Sequence, residues 1–120
     1  TTSAFAIASG FARMGKKVVL FDADLRRPSL HRRVGQDNER GLSTLLTTQD
    51  PLESVFITSG QPNLTLISSG PVPPSPTELI SSARLEEILQ LAARQFDHAV
   101  IHGQGDVHDV DTGVVNTGYV

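Results

Sequence analysis

The sequence predicts an α/β fold with a mostly parallel sheet and helices on both faces, in a three-layer α/β/α arrangement. Three short apolar segments have the composition of buried strands: one ending at Asp22, one at 64–67 and one at 99–101. Segments of helical periodicity separate them. Strands that alternate with helices require crossover connections, and such connections produce parallel strands.

The first helix is predicted over residues 1–14, where small and apolar residues recur at helical spacing on one face: Ala4, Ile7, Ala8, Phe11 and Ala12. Gly15 occupies the position of a C-terminal cap. Lys16 and Lys17 follow near the negative end of the helix dipole. The link to the strand that ends at Asp22 is therefore predicted to be very short.

The middle of the chain is predicted to contain short helices. They are expected at 29–34, 41–48, 51–57 and 77–81. The proline-rich stretch 71–76 is predicted to be a stiff, extended connector. A long amphipathic helix is predicted at 82–96, with Ser82 as N-cap and a buried stripe of Leu85, Ile88, Leu89 and Ala92.

Size and composition indicate one globular domain. The chain has 120 residues, of which 38% are hydrophobic and 19% charged. Its formal net charge of -3 argues against a general nucleic-acid binder. The absence of cysteine excludes disulfides and thiolate metal sites. The opening Thr1-Thr2, without an initiator methionine, leads us to expect that residues 1–120 are a single but incomplete domain.

A charged cluster follows the first predicted strand. Asp22 and Asp24 stand at its carboxyl end, and Arg26 and Arg27 come next, before Pro28. Open α/β sheets bind ligands at the carboxyl ends of their strands. Carboxylates suit Mg²⁺, and guanidinium groups match phosphate or carboxylate geometry. The alternative is a solvated turn whose charges neutralise one another.

Three segments together resemble the bacterial tyrosine kinases of capsule and exopolysaccharide synthesis, which are P-loop ATPases related to the MinD/ParA group. They are Phe21-Asp-Ala-Asp-Leu-Arg-Arg-Pro-Ser-Leu-His31, Asn38-Glu-Arg-Gly-Leu-Ser43 and Ser69-Gly-Pro-Val-Pro-Pro-Ser-Pro-Thr-Glu-Leu79. The likeness extends from the start of the chain to about residue 101. It implies a P-loop fold, with ATP and Mg²⁺ as cofactors.

The resemblance also implies roles for individual residues. Thr1 and Thr2 look like the last two residues of the phosphate-binding loop, so that the chain would begin just after the loop's lysine, and Thr1 would contribute to Mg²⁺ binding. Asp22 would orient Mg²⁺ and accept the proton of the attacking tyrosine, with Asp24 in support. Simple helix capping by the threonines is the alternative.

Further implications concern partners. Arg26, Arg27 and His31 either contact a substrate or partner, or belong to a solvated turn. The substrates implied are tyrosines of neighbouring subunits or of polysaccharide-synthesis proteins, in a homo-oligomer without nucleic acid. A membrane chain-length regulator is the implied activator. The implied location is the cytoplasm, at the inner face of the plasma membrane.

The sequence departs from the family pattern after residue 101. His102 stands where the family has a Mg²⁺-organising aspartate, and imidazole is a poor Mg²⁺ ligand. The family's tyrosine-rich tail is absent, and Tyr119 is the only tyrosine. A truncation or reading-frame error is one explanation. A transition-metal cluster is another, built from His102, Asp106, His108, Asp109 and Asp111.

Three functions follow as hypotheses. The first is an ATP-dependent protein-tyrosine kinase regulating capsular or exopolysaccharide synthesis, present as a partial and impaired domain. The second is a non-catalytic module that docks on a membrane chain-length regulator. The third is a MinD/ParA-like ATPase, against which the proline-rich string and the Leu-Arg-Arg-Pro sequence at 25–28 argue.

Overall fold

The structure is a computed structural model that describes residues 2–24, 28, 30–72, 74, 83–102 and 114–116. Its helices are α1 (Thr2–Arg13), α2 (Leu30–Arg33), α3 (Leu42–Thr47) and α4 (Ala83–Gln95), with a 3₁₀ turn at Leu52–Val55. Its strands are β1 (Val18–Asp22), β2 (Ile57–Thr58), β3 (Leu64–Ile67), β4 (His98–His102) and β5 (Val114–Asn116). None of the described helices is long and apolar enough to span a bilayer.

The strands form one sheet in the order β2-β3-β1-β4-β5. The strand β1 is central, and all five of its residues are buried. It pairs in parallel with β3 on one side and with β4 on the other, and β5 adds in parallel to β4. Among the strands that the structure describes, only β2 is antiparallel to its neighbour. The sheet is therefore mostly parallel, as the sequence predicts.

Helices cover both faces of the sheet because successive strand residues point to opposite sides. Val18 and Leu20 of β1 pack with α1 and with Leu30 of α2. Val19 and Phe21 pack on the other side with α3, the 3₁₀ turn and α4. The predicted stripe of α4 is buried as expected. Two apolar cores separated by the sheet give the predicted three-layer arrangement.

The first helix ends at a glycine, and this fixes its direction. Gly15 has φ of +85°, and its N–H donates to Ala12 O at 3.1 Å, as the predicted C-terminal cap requires. Only residues 14–17 separate α1 from β1. So short a link makes α1 run antiparallel to β1. The amino end of α1 therefore lies at the same end of the sheet as Asp22.

Most of the remaining elements match the predicted ones to within two residues. The predicted helix at 51–57 is wrong in part, because only residues 52–55 form a 3₁₀ turn and residues 57–58 pair with β3 as strand β2. A two-residue edge strand is too short to show an alternating pattern. Strand β5 was not expected from the sequence. The helical turn predicted at 77–81 and the N-cap Ser82 lie outside the described residues.

Candidate functional site

The two aspartates predicted from the sequence lie at the carboxyl end of β1. Asp22 is fully buried, and Asp24 is 9% exposed. One carboxylate oxygen of Asp22, Oδ1, accepts the backbone N–H of Asp24 at 3.1 Å. The other, Oδ2, accepts the N–H of Leu30, the first residue of α2, at 3.1 Å. Asp22 thus ties the end of β1 to the start of α2, and its side chain is held in one orientation.

His102 ends the neighbouring strand β4 in register with Asp22. Its backbone carbonyl accepts the N–H of Ala23 at 2.6 Å, and the residue is only 7% exposed. Burial lowers the pKa of His102, although the charges of Asp22 and Asp24 act in the opposite direction. A neutral imidazole at physiological pH therefore stands beside the two carboxylates.

The loop after β3 borders Asp22 on the side away from His102. Phe21 pairs with Ile67, so Ser68 comes level with Asp22 at the edge of the sheet. Ser68 and Ser69 are fully buried. Their positions depend on polar contacts to the loop that precedes α3, because buried polar groups require hydrogen-bond partners.

Asn38 makes the main contact between these two loops. Its side-chain Nδ2 donates to Gly70 O at 2.8 Å and to Ser69 Oγ at 3.0 Å. Its Oδ1 accepts the Gly70 N–H at 2.8 Å. The Asn38 amide thus satisfies both backbone groups of Gly70, as a neighbouring strand would. We call this set of contacts the Asn38 clamp.

The first residues of α3 add further hydrogen bonds between these two loops. The N–H groups of Leu42 and Ser43 donate to the carbonyls of Ser68 and Ser69, at 2.8 and 2.7 Å. A Cβ at Gly41 would collide with the backbone of Ser68 and Gly70, so only glycine fits there. In the sequence, 38–43 and 69–79 are two separate motifs. Local patterns did not predict that Asn38, Leu42 and Ser43 bind the segment 68–70.

The structure places the other predicted site residues only in part. His31 is half-buried on α2, directly after the Leu30 amide that Asp22 binds. Thr2 is the first residue of α1. Thr1, Arg26 and Arg27 lie outside the described residues, as do the tail residues Asp106, His108, Asp109 and Asp111. Their predicted roles remain predictions.

The donor set at the end of β1 suits a hard cation only in part. Two carboxylates supply the oxygen ligands that Mg²⁺ prefers. His102 supplies nitrogen, which Mg²⁺ does not favour. Within the described part of the chain, no three His, Asp or Glu side chains are grouped closely enough to hold a metal by themselves. A cation here would need further ligands, such as nucleotide phosphates, water or a hydroxyl.

Comparison with known proteins finds tyrosine-protein kinases among its relatives, although no protein-family model matches the chain. Over 100 residues, 83% of this chain, it is 37% identical to the tyrosine-protein kinase YwqD of Bacillus subtilis and covers 42% of that protein. Over 95 residues, 79% of this chain, it is 39% identical to the tyrosine-protein kinase ptk of Acinetobacter johnsonii and covers 13% of it. The chain thus spans less than half of either relative.

Comparison with solved structures also finds a bacterial tyrosine kinase domain. The kinase domain of the Escherichia coli tyrosine kinase ETK superposes with a TM-score of 0.75 at 34% identity, covering 82% of this chain and 38% of that one. The septum site-determining protein MinD of Pyrococcus horikoshii, complexed with Mg-ADP, gives 0.59 at 16% identity, covering 84% and 51%. The second likeness concerns the fold alone. Together they confirm the predicted fold of the P-loop type.

Proposed function

Since the chain belongs to the bacterial tyrosine-protein kinases, we propose that it forms part of a domain that transfers the γ-phosphoryl group of ATP to tyrosine hydroxyls. The observation that carries the proposal is the position of Asp22 and Asp24. Both stand at the carboxyl end of the central strand, at the end of the sheet where α1 begins. This is where open α/β sheets bind nucleotides, and where a helix start favours phosphate.

Asp22 is suited to a role in positioning and proton transfer. Its carboxylate is fixed by the N–H groups of Asp24 and Leu30, so its orientation does not have to be established on substrate binding. We assign it the acceptance of the tyrosine proton, with Asp24 in support at the more exposed position. Bound Mg²⁺, held by Asp22 and Thr1, would neutralise phosphate charge.

Thr1 and Thr2 fit the nucleotide side of the proposal. Thr2 is the first residue of α1, where backbone N–H groups lack partners within the helix. Phosphates bind at such helix starts. We therefore assign Thr1 and Thr2 to the nucleotide site, which the lysine expected ahead of Thr1 would complete.

The partner assignments extend the proposal. Arg26, Arg27 and His31 follow Asp22 along the chain and would contact a protein substrate or partner. The substrates would be tyrosines of neighbouring copies or of polysaccharide-synthesis proteins. A membrane chain-length regulator would hold the kinase, as a homo-oligomer, at the inner face of the plasma membrane.

One observation favours a second function, a non-catalytic module that docks on such a regulator. His102 occupies the position expected for a Mg²⁺-organising acid, and it is buried beside Asp22. Burial lowers its pKa, which keeps the imidazole neutral at physiological pH. A domain with this substitution would keep its fold but lose most of its phosphoryl transfer.

The experiment uses a version in which a Gly-Lys phosphate loop precedes Thr1. Transfer of label from γ-labelled ATP to tyrosine is measured in the presence of Mg²⁺. We expect Asp22→Asn to lower transfer at least about 100-fold, the size of a lost acid–base contribution, with a smaller effect on ADP affinity. Equal losses of transfer and affinity would mean that Asp22 only binds nucleotide.

Two further variants control this result. Glu86→Gln changes an exposed carboxylate on α4 and should leave transfer unchanged. His102→Asp restores the family's acid and should raise transfer. If neither the parent nor His102→Asp transfers label while ADP still binds, the kinase function is contradicted and the docking module is the function to test next. The 120-residue chain without the added Gly-Lys loop should incorporate little or no label at Tyr119.

A further inference from the structure

A cleft of about 190 Å³ lies apart from the carboxyl end of β1, between the loop that precedes α3 and the segment leading into β2. The loop contributes Asp37, Glu39 and Arg40 to its wall. The segment contributes an apolar side made of Val55, Phe56 and Ile57. None of these residues belongs to the proposed kinase site. The cleft therefore offers both charge and an apolar surface at a second place on the molecule.

The charge in the cleft is negative. The guanidinium of Arg40 is bound by Asp50 at 2.7 Å, so its charge is already balanced. Asp37 and Glu39 are exposed, and neither forms a salt bridge with another residue that the structure describes. Two carboxylates without a cation on one loop favour a positively charged ligand.

The loop that carries these carboxylates is held in place before any ligand binds. The Asn38 clamp fastens its centre to Gly70 and Ser69. The carbonyl of Arg40 also accepts a hydrogen bond from Ser68 Oγ at 3.0 Å. A preorganised loop loses little conformational entropy on binding, and this favours affinity.

The apolar side of the cleft adjoins an edge of the described sheet. Ile57 and Thr58 form β2, which pairs with β3 on one side and is the edge strand of the described sheet. An extended peptide can add to such an edge through its backbone. Phe56 packs edge-on against Phe96, with ring centroids 5.7 Å apart, so its ring has a fixed orientation. A fixed aromatic ring is a suitable surface for a planar cation.

We propose that this cleft binds an arginine side chain carried on an extended segment of a different protein. Arginine fits better than lysine, because its planar fork can bind a carboxylate through two N–H groups and also stack on a ring. Asp37 and Glu39 would receive the guanidinium, and the edge of β2 would pair with the backbone that carries it.

Through its described residues, a second copy of this chain is a poorer occupant. Among the arginines in those residues, Arg40 is already paired and the others lie on helices: Arg13, Arg32, Arg33, Arg84 and Arg94. None of them is on an extended segment that could add to the edge of β2. The proposal does not depend on kinase activity, so it can succeed or fail independently of that assignment.

The test uses the full 120-residue chain and a fluorescent peptide of alternating valine and threonine with one central arginine, about eight residues long, the length of a strand. Binding is followed by anisotropy and by backbone amide chemical shifts. We expect saturable binding, with shifts concentrated at residues 37–40 and 56–58. Replacing the arginine by citrulline, its neutral analogue, should weaken binding roughly tenfold.

Matched variants identify the surface. Asp37→Asn and Glu39→Gln together should weaken binding roughly tenfold, and Glu86→Gln on α4 should not. A thermal melt shows whether the double variant remains folded. The proposal is overturned by equal binding of the citrulline peptide, by shifts elsewhere, or by no binding at millimolar peptide. Self-association that the double variant abolishes would identify a second copy as the occupant and would also overturn it.

Discussion

His102 is paired with Asp22 in the ladder between β4 and β1 and is bonded to the loop that follows Asp22. The two residues are register partners, and the carbonyl of His102 accepts the N–H of Ala23 at 2.6 Å. The backbone of His102 is therefore fixed at the end of β4, in a place where the residue is only 7% exposed. A residue held in this way cannot move into solvent to take up a proton without disturbing the end of β4.

The stability of the chain should therefore depend on pH through His102. Burial lowers the pKa of His102 in the folded state below its value of 6.5 in the unfolded chain. As the pH falls below 6.5, the unfolded chain takes up a proton that the folded chain does not. The free energy of unfolding should fall over this range and level off below the folded pKa.

Urea unfolding at a series of pH values measures this effect. His102→Asn removes the titrating group and keeps a polar side chain of similar size, so the part of the pH dependence due to His102 should disappear. Measurements above pH 5 avoid the titration of most carboxyl groups. If the free energy of unfolding depends on pH in the same way for the parent and for His102→Asn, then His102 has the same pKa in the folded and unfolded states.

The Asn38 clamp should contribute to stability. Asn38→Ala removes three hydrogen bonds and leaves the N–H of Gly70 without its partner, while Gly70 O still accepts from Ser69 Oγ at 3.1 Å. We expect a loss of about 1–3 kcal/mol in the free energy of unfolding. Gln36→Ala, an exposed change two residues away, should alter it by less than about 0.5 kcal/mol. A similar small change for Asn38→Ala would mean that water replaces the clamp.

Local signals in the sequence predicted much of this structure, and long-range contacts were the part they could not predict. The apolar run of β1 and the cap at Gly15 are read from neighbouring residues. The Asn38 clamp joins residues 32 positions apart, and no local pattern marks that pairing. The same holds for the cleft, since Asp37 and Phe56 meet only after folding. At the predicted site, the resemblance to the kinase family identified His102 as a departure from the expected aspartate. That His102 is buried could be seen only in the structure.

The ion pair between Arg40 and Asp50 should be visible in a titration. The hydrogen bond from the Arg40 guanidinium is the main cause that lowers the pKa of Asp50 below its ordinary value. Arg40→Ala should therefore raise the pKa of Asp50, as followed by the NMR shift of its carboxyl carbon. The pair stabilises the fold above the unfolded pKa and loses this effect as the pH falls through the folded one. An unchanged Asp50 titration would show that the pair does not persist in solution.

Two glycines provide the sharpest contrast in packing. At Gly41, a Cβ would strike the backbone of Ser68 and Gly70, which cannot yield without opening the contact between the two loops. Gly41→Ala should therefore cost about 3 kcal/mol in the free energy of unfolding, as for an overpacked site. At Gly10, inside α1, no atom of the described residues outside the helix's own backbone and the two neighbours of Gly10 lies within 4 Å of an added Cβ. Gly10→Ala should stabilise the chain by about 0.5–1 kcal/mol, because alanine loses less backbone entropy in a helix. Both values come from one set of denaturant titrations. The contact at Gly41 would be disproved if Gly41→Ala proved as harmless as Gly10→Ala.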